Sequence, residues 1–242
     1  MKIEMLYPEL TTLYGDSANV RYFQKSAKDS DDIEIVETHI GEIPKFLNED
    51  IALVYRGTMT ESAQKIMLKE LLQYKVEITK KIEAGQRFLV TGNALELFGD
   101  EIKIGNETIE ALGIFPFYTK NEMPKRYNAI YVGKYKDKYV VGFKSQFSHI
   151  YFTNEKNANI KPLISTVRGI GLNKHTADEG IRYKNFMGTY LIGPLLVLNP
   201  FFVEDLFSEM GMDCKLYFED DAKEAYNKRV LEYLNPNTGL EF

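Results

Sequence analysis

The chain has 242 residues, 44% hydrophobic and 27% charged, with no low-complexity tract, which suits one sizeable α/β core in a globular protein. Its 30 basic and 35 acidic side chains leave a net charge of −5 and give no electrostatic case for nucleic acid. A single cysteine excludes an intramolecular disulfide, three dispersed histidines argue against a metal site, and no apolar run reaches the roughly 18 residues of a membrane span.

Read from the start, MKIEMLYPEL carries an acidic residue and a proline where a secretory leader would be continuously apolar, so a cytoplasmic protein is expected. Lys2 to Tyr7 opens on alternating polar and apolar residues and reads as a strand. Asp16, Ser17 and Asn19 offer capping side chains to a helix through Val20 to Phe23. Ile33 to Thr38 is a second strand, and Ile51 to Tyr55 is a short apolar run of the kind buried on both faces of a sheet. Thr60 to Ala84 has helical apolar spacing at Ile66, Leu68, Leu71, Leu72, Ile78 and Ile82, with Thr60 to cap its start and Gly85 to end it. Arg87 to Thr91 follows as a buried strand, and strand, helix, strand with short links implies a parallel sheet covered by helices.

The later half reads as a meander. Ala129 to Val132 and Lys138 to Phe143 predict antiparallel strands around a charged turn opening at Gly133. Ile150 to Thr153, Ile164 to Arg168 and Phe186 to Leu191 add further strands. Pro200 to Met210 and Asp220 to Leu234 predict two closing helices. The expectation is a single domain over residues 1–242: a mixed, mainly parallel sheet with helices on both faces.

In such a sheet the site lies beyond the carboxyl ends of the parallel strands, here at Tyr55-Arg56-Gly57-Thr58 and Val90-Thr91-Gly92-Asn93-Ala94. The second stretch, running into a short helix Leu95 to Phe98 that ends at Gly99, has the form of a nucleophile elbow.

Three long segments carry a resemblance. The opening Leu6-Tyr7-Pro8-Glu9-Leu10 continues as Leu13-Tyr14-Gly15-Asp16 and Asn19-Val20. Ala111-Leu112-Gly113-Ile114 stands with Phe117-Tyr118-Thr119. Glu179-Gly180-Ile181 runs through Tyr183-Lys184-Asn185 to Gly188-Thr189-Tyr190-Leu191 and Gly193-Pro194-Leu195. Over about residues 1–210 the chain resembles class I glutamine amidotransferases of the CobB/CobQ and GatD kind, leaving 211–242 as a C-terminal helical extension. The resemblance implies a flavodoxin-like, three-layer α/β fold and hydrolysis of glutamine through a cysteinyl thioester, with no cofactor. In the GatD kind it also implies a Mur-ligase-like (MurT-type) partner that uses the ammonia to amidate lipid II. Corrinoid amidation is the CobB/CobQ counterpart.

The same resemblance places the nucleophilic cysteine on Gly92, or on Thr91 if counted forward from the strand, and the base histidine on Ile192. The glutamine that follows in the elbow helix falls on Glu96. The substrate-binding segment falls on Lys144 to Ile150, with His149 where an arginine would hold the substrate carboxylate. Without a thiolate and a base the hydrolysis lacks its paired groups. The leading expectation is therefore a catalytically silent binding or regulatory subunit. An enzyme working by a non-standard site and a small-molecule sensor stand as alternatives.

The ligand-contacting candidates are Arg56, Gly57, Asn93, Glu96 and His149, with a small amino acid as the ligand class. Arg56 could meet an anion or pair with Glu61; Glu96 could face a pocket or solvent; His149 could bind or simply pack. Gly57 is expected as a turn glycine. Thr91 is a weak nucleophile without a base, Cys214 reads as a semi-buried thiol, and His175 as a solvated loop residue.

Overall fold

A computed structural model of the chain describes residues 1–10, 13–27, 33–153 and 159–239. The first half contains β1 (Lys2–Leu6), α1 (Ser17–Lys25), β2 (Glu34–Thr38), β3 (Leu53–Arg56), α2 (Glu61–Leu72), α3 (Lys75–Glu83) and β4 (Phe88–Thr91). Then come β5 (Glu101–Ile104), β6 (Glu107–Glu110), β7 (Phe117–Asn121), β8 (Tyr127–Tyr135), β9 (Lys138–Gln146) and β10 (Ser148–Phe152). The chain closes with β11 (Ile164–Arg168), β12 (Asp178–Glu179), β13 (Ile181–Tyr183), β14 (Phe186–Thr189), α4 (Leu195–Leu198), α5 (Pro200–Glu209) and α6 (Glu219–Leu234). The end of the expected C-terminal extension, 240–242, lies outside the described residues.

A six-stranded sheet in the order β13-β14-β4-β3-β1-β2 is parallel throughout except for the antiparallel edge strand β13. Two four-stranded sheets, β10-β7-β5-β6 and β12-β11-β8-β9, are built from the later strands. The central strands are apolar on both faces because both are covered. Alternation sends Val54, Phe88 and Val90 to one core with α2 and α3, where Met67, Leu68, Leu71, Ile78 and Ile82 pack. It sends Leu53, Tyr55, Leu89 and Met187 to the other, against Val20 and Phe23 of α1 and Phe202, Leu206 and Phe207 of α5. This is the layered α/β arrangement that the segment pattern implied.

Five differences from the sequence reading have physical causes. The run from Thr60 to Ala84 is two helices, with Gln73 and Tyr74 between them. The break lets both pieces lay their apolar residues on one face of the sheet, and it leaves Ile66 46% exposed. Thr60 does cap α2, its hydroxyl accepting from the Ala63 amide at 3.2 Å. Asp16 makes no side-chain cap to α1, because its carboxylate is turned to the Thr58 amide. Asn19 is buried instead of capping, donating to Tyr55 Oη (2.8 Å) and accepting from the Leu196 amide (2.7 Å).

Gly133 lies inside β8, and the turn comes later at Lys136, where φ is +52°. A β-carbon at Gly133 would run into Ile164 of the neighbouring strand, so close packing accounts for the glycine. The hairpin of β5 and β6 was not anticipated; Gly105, at φ +57°, makes its turn.

The core beside β4 is an aromatic cluster. Phe186 stands 4.8 Å from Phe98, 4.8 Å from Phe115 and 5.8 Å from Phe88, centroid to centroid, and is fully buried. Phe186→Ala is expected to cost about 3–5 kcal/mol in chemical denaturation, since the three neighbouring rings cannot collapse into the space. A cost below about 1.5 kcal/mol would show that the cluster is loosely packed. Among the described residues no helix is long and apolar enough to cross a membrane.

Candidate functional site

The carboxyl ends of β3 and β4 open into a cavity of about 300 Å³, at the lower end of the range for small-ligand sites. Thr58, Met59, Gly92, Asn93 and Glu96 line it from the sheet side. Tyr14, Arg126, Gln146, Phe147 and Ser148 face them, and Tyr190 completes the wall just past β14.

The elbow exists as backbone. Thr91 is extended (φ −121°, ψ 152°), Gly92 turns to φ +62°, and a 3-10 helix runs from Gly92 to Phe98. Glycine takes that φ at little steric cost, whereas a side chain there is strained. Space also decides the residue at this position. A β-carbon on Gly92 would collide with Thr58 Oγ1 and come within 2.9 Å of Thr58 Cβ and Cγ2. Thr58 thus fills the volume into which a side chain at 92 would project.

Thr58 is held from behind by Asp16, whose Oδ2 accepts from the Thr58 amide. Asp16 is almost fully buried, and desolvation raises its pKa above the ordinary aspartate value. Gly57 is a close-approach glycine here, not a left-handed turn residue, since a β-carbon on it would lie 2.7 Å from Asp16 Cβ and Oδ2. Asn93 bridges the two strand ends: its Oδ1 accepts from the Met59 amide (3.0 Å) and its Nδ2 donates to the Met59 carbonyl (2.9 Å).

Glu96 is 1% exposed and faces the cavity, which decides between the two readings the sequence left open. Its carboxylate accepts from Gln64 Nε2 at 3.0 Å and from Tyr190 Oη at 3.1 Å. Burial pushes its pKa up to about 7, against the opposing hydrogen bonds from Gln64, Tyr190 and Ser148. Tyr190 is positioned by a buried ion pair: Lys144 and Glu179 are both fully buried, and Glu179 Oε1 accepts from the Tyr190 amide (2.8 Å) and Thr189 Oγ1 (2.7 Å).

Arg126, which the sequence reading did not single out, stands exposed at the mouth. Its Nη1 donates to Tyr14 Oη (2.8 Å) and Ser145 Oγ (3.1 Å), and its guanidinium lies 4.3 Å over the Phe147 ring. Tyr14, Gln64 and Thr58 were likewise not marked as site residues. Tyr14 stood only in a resemblance segment and Thr58 only in a strand-end stretch, and nothing local marks Gln64.

The remaining candidates fall elsewhere. Arg56 does not line the cavity; its guanidinium is buried, donating to the carbonyls of Leu6 (2.9 Å), Tyr7 (2.7 Å) and Leu10 (3.2 Å). It serves as a backbone tie, and burial lowers its pKa to about 10. His149 points away from the cavity while its neighbour Ser148 points in, as strand alternation requires. It is buried, 3.9 Å from Glu122, and desolvation lowers its pKa.

Ile192 is buried, and its amide donates to the Phe143 carbonyl at 3.0 Å. Thr91 Oγ1 lies 3.2 Å from Tyr55 Oη in the sheet. Cys214 bridges to Ala27 away from the cavity, with a thiol pKa that burial raises to about 11. His175, whose amide donates to Asn173 Oδ1, is also outside. No histidine or cysteine lines the cavity, and no three His, Cys, Asp or Glu among the described residues are grouped to hold a metal.

No family model matches the chain. It is similar to subunit GatD of the glutamine-hydrolyzing lipid II isoglutaminyl synthase of Staphylococcus aureus strain N315. The two are 27% identical over 225 residues, covering 90% of this chain and 89% of that protein. The subunit of the same name from Streptococcus pneumoniae strain R6 is 26% identical over 209 residues, covering 82% of this chain and 76% of its own.

Among solved structures, a glutamine amidotransferase superposes with a TM-score of 0.53 at 13% identity, covering 87% of this chain and 99% of that one. The glutaminase domain of CTPS from Trypanosoma brucei gives 0.54 at 9% identity, covering 90% and 96%. The fold is that of a class I glutamine amidotransferase, and in sequence the chain is similar to the two GatD subunits.

Proposed function

We propose that the chain is a GatD-like protein of glutamine amidotransferase fold that does not hydrolyse glutamine. It acts as a binding or regulatory subunit of a Mur-ligase-like amidating partner. One observation carries this reading: Thr58 occupies the space beside Gly92 into which an elbow nucleophile would project. A missing thiol alone could reflect one substitution in a pocket otherwise ready for it. A filled volume opposite a glycine at φ +62° means that the surroundings have been rebuilt around the loss. Ile192 supports the same reading, since an aliphatic side chain cannot take the proton that a base would remove.

The partner half of the proposal rests on the relatives, each of which is a subunit of a larger synthase. On this reading the whole chain forms one domain, 1–242, and works in the cytoplasm.

Purified protein, alone and mixed with a co-encoded Mur-ligase-like protein, is expected to release no ammonia from glutamine above the buffer rate in a coupled glutamate dehydrogenase assay. The two proteins are expected to co-elute in gel filtration. Turnover by the wild type would overturn the silent reading, and separate elution would overturn the partnership. A second reading, a small-molecule sensor, is favoured by one feature. The cavity stays open, with a buried carboxyl at its floor and a guanidinium at its mouth.

A further inference from the structure

We propose that this cavity binds a small linear molecule with a primary ammonium group at the inner end and a carboxylate at the outer end. The inference rests on the preceding reading that the site binds without hydrolysing, and it names the chemistry of the ligand.

The floor is a set of oxygen acceptors. Glu96 accepts from Gln64, Tyr190 and Ser148, which leaves its carboxylate room for one further donor. Gln146 is 7% exposed; its Nε2 donates to the Ser148 carbonyl at 2.6 Å, which leaves Oε1 as the free end. Gln146 Oε1 has no hydrogen-bond partner among the described residues, and the Gln146 side chain borders the cavity. Buried polar atoms are seldom left so, and an ammonium suits a wall that offers the Glu96 carboxylate and the Gln146 carbonyl oxygen as acceptors. A carboxylate at the floor would meet Glu96, and a methyl group would leave the buried Gln146 oxygen unpaired.

At the mouth Arg126 carries the opposite sign, with the Glu61 carboxylate also on the cavity wall. Arg126 is held by the neutral hydroxyls of Tyr14 and Ser145 and by the Phe147 ring, with no carboxylate among the described residues in ion-pair range. A guanidinium presented in this way is suited to a carboxylate. A volume of about 300 Å³ limits the ligand to a short chain.

The groups facing Glu96 are Gln64 and Glu61 from α2, Ser148 from β10 and Tyr190, behind which the Lys144–Glu179 pair is buried. With a Glu96 pKa of about 7, the ionised fraction rises about ten-fold from pH 6 to pH 8, so an ammonium ligand should bind more tightly at the higher pH.

The test is isothermal titration calorimetry of the full chain with 5-aminopentanoate at pH 6 and pH 8, with n-butylamine, glutarate and glutamine as comparisons. We expect 5-aminopentanoate to bind best and about ten-fold more tightly at pH 8. Glu96→Gln keeps the bond from Gln64 on its carbonyl oxygen and can turn its amide to donate to Tyr190 Oη, so it should melt near the wild-type temperature while losing most of this affinity at pH 8. Preferential binding of glutarate or glutamine, affinity retained by Glu96→Gln, or no binding by any of the four would overturn the proposal. Ammonia release from glutamine in the same samples would instead overturn the silent reading, so the two failures are told apart.

Discussion

Gly92→Cys should be destabilised by about 2–6 kcal/mol in urea denaturation, and the companion change Thr58→Gly should recover at least about 1 kcal/mol of that loss. Two costs add in the single variant. A residue with a β-carbon held at φ +62° is strained by about 1–3 kcal/mol. Forcing that carbon against Thr58 Oγ1, Cβ and Cγ2 adds an overpacking cost of about 1–3 kcal/mol, because Thr58 is itself pinned through its amide to Asp16.

Thr58→Gly removes the collision but not the backbone strain, so the double variant should remain less stable than wild type while showing a clear coupling energy. If the two changes were additive, Thr58 would not occupy the space in question, and the central argument for a silent site would fall. The consequence for activity is concrete. A thiol at 92 with a histidine at 192 is still obstructed, so any restored glutamine hydrolysis should require Thr58→Gly as a third change.

The frame of the molecule was legible in the sequence because its signals are local. Ile51 to Tyr55 and Arg87 to Thr91 read as buried strands, since each is a short, mostly apolar run, and the strands observed there, Leu53–Arg56 and Phe88–Thr91, lie at the centre of the sheet. The elbow was visible for the same reason: strand, small residues and short helix follow one another without interruption.

What escaped was what depends on three-dimensional neighbours. Arg56, next to a strand end, read as either an anion contact or a partner of Glu61, yet the left-handed backbone at Tyr7 and the turn to Leu10 present three carbonyls that take up its guanidinium. Asp16 had the look of a helix cap, but Thr58, 42 residues away, offers it a buried amide. Thr58 stood at a strand end where the site was expected, but its role is fixed by the absent side chain at Gly92 and only the fold reveals it. Arg126 lies in a loop before β8 that no periodicity marks, and only the fold brings it to Tyr14.

Lys144→Met should cost about 3–5 kcal/mol, among the largest losses available from one side chain in this protein. Lys144 and Glu179 are both fully buried, Lys144 Nζ also donates to the Gly171 carbonyl at 2.7 Å, and burial depresses the lysine pKa. Removing the cation leaves a carboxylate in the core with only the Thr189 hydroxyl and the Tyr190 amide as donors. The size of the loss is the cost of an uncompensated charge, not the worth of the pair.

Lys144→Met/Glu179→Gln separates these. The glutamine oxygen can still accept from Thr189 and Tyr190, and its amide can donate to the Gly171 carbonyl that the lysine vacates. The double variant should therefore be more stable than Lys144→Met by about 2 kcal/mol or more in urea denaturation, a coupling that independent residues would not show. The pair also sets the wall of the cavity, because Glu179 fixes the Tyr190 backbone and the Tyr190 hydroxyl reaches Glu96. Lys144→Met should accordingly weaken ligand binding as well as stability, and the double variant should restore both. Recovery of stability without recovery of binding would mean that the ion pair supports the core alone and that Tyr190 is held in place by its other contacts.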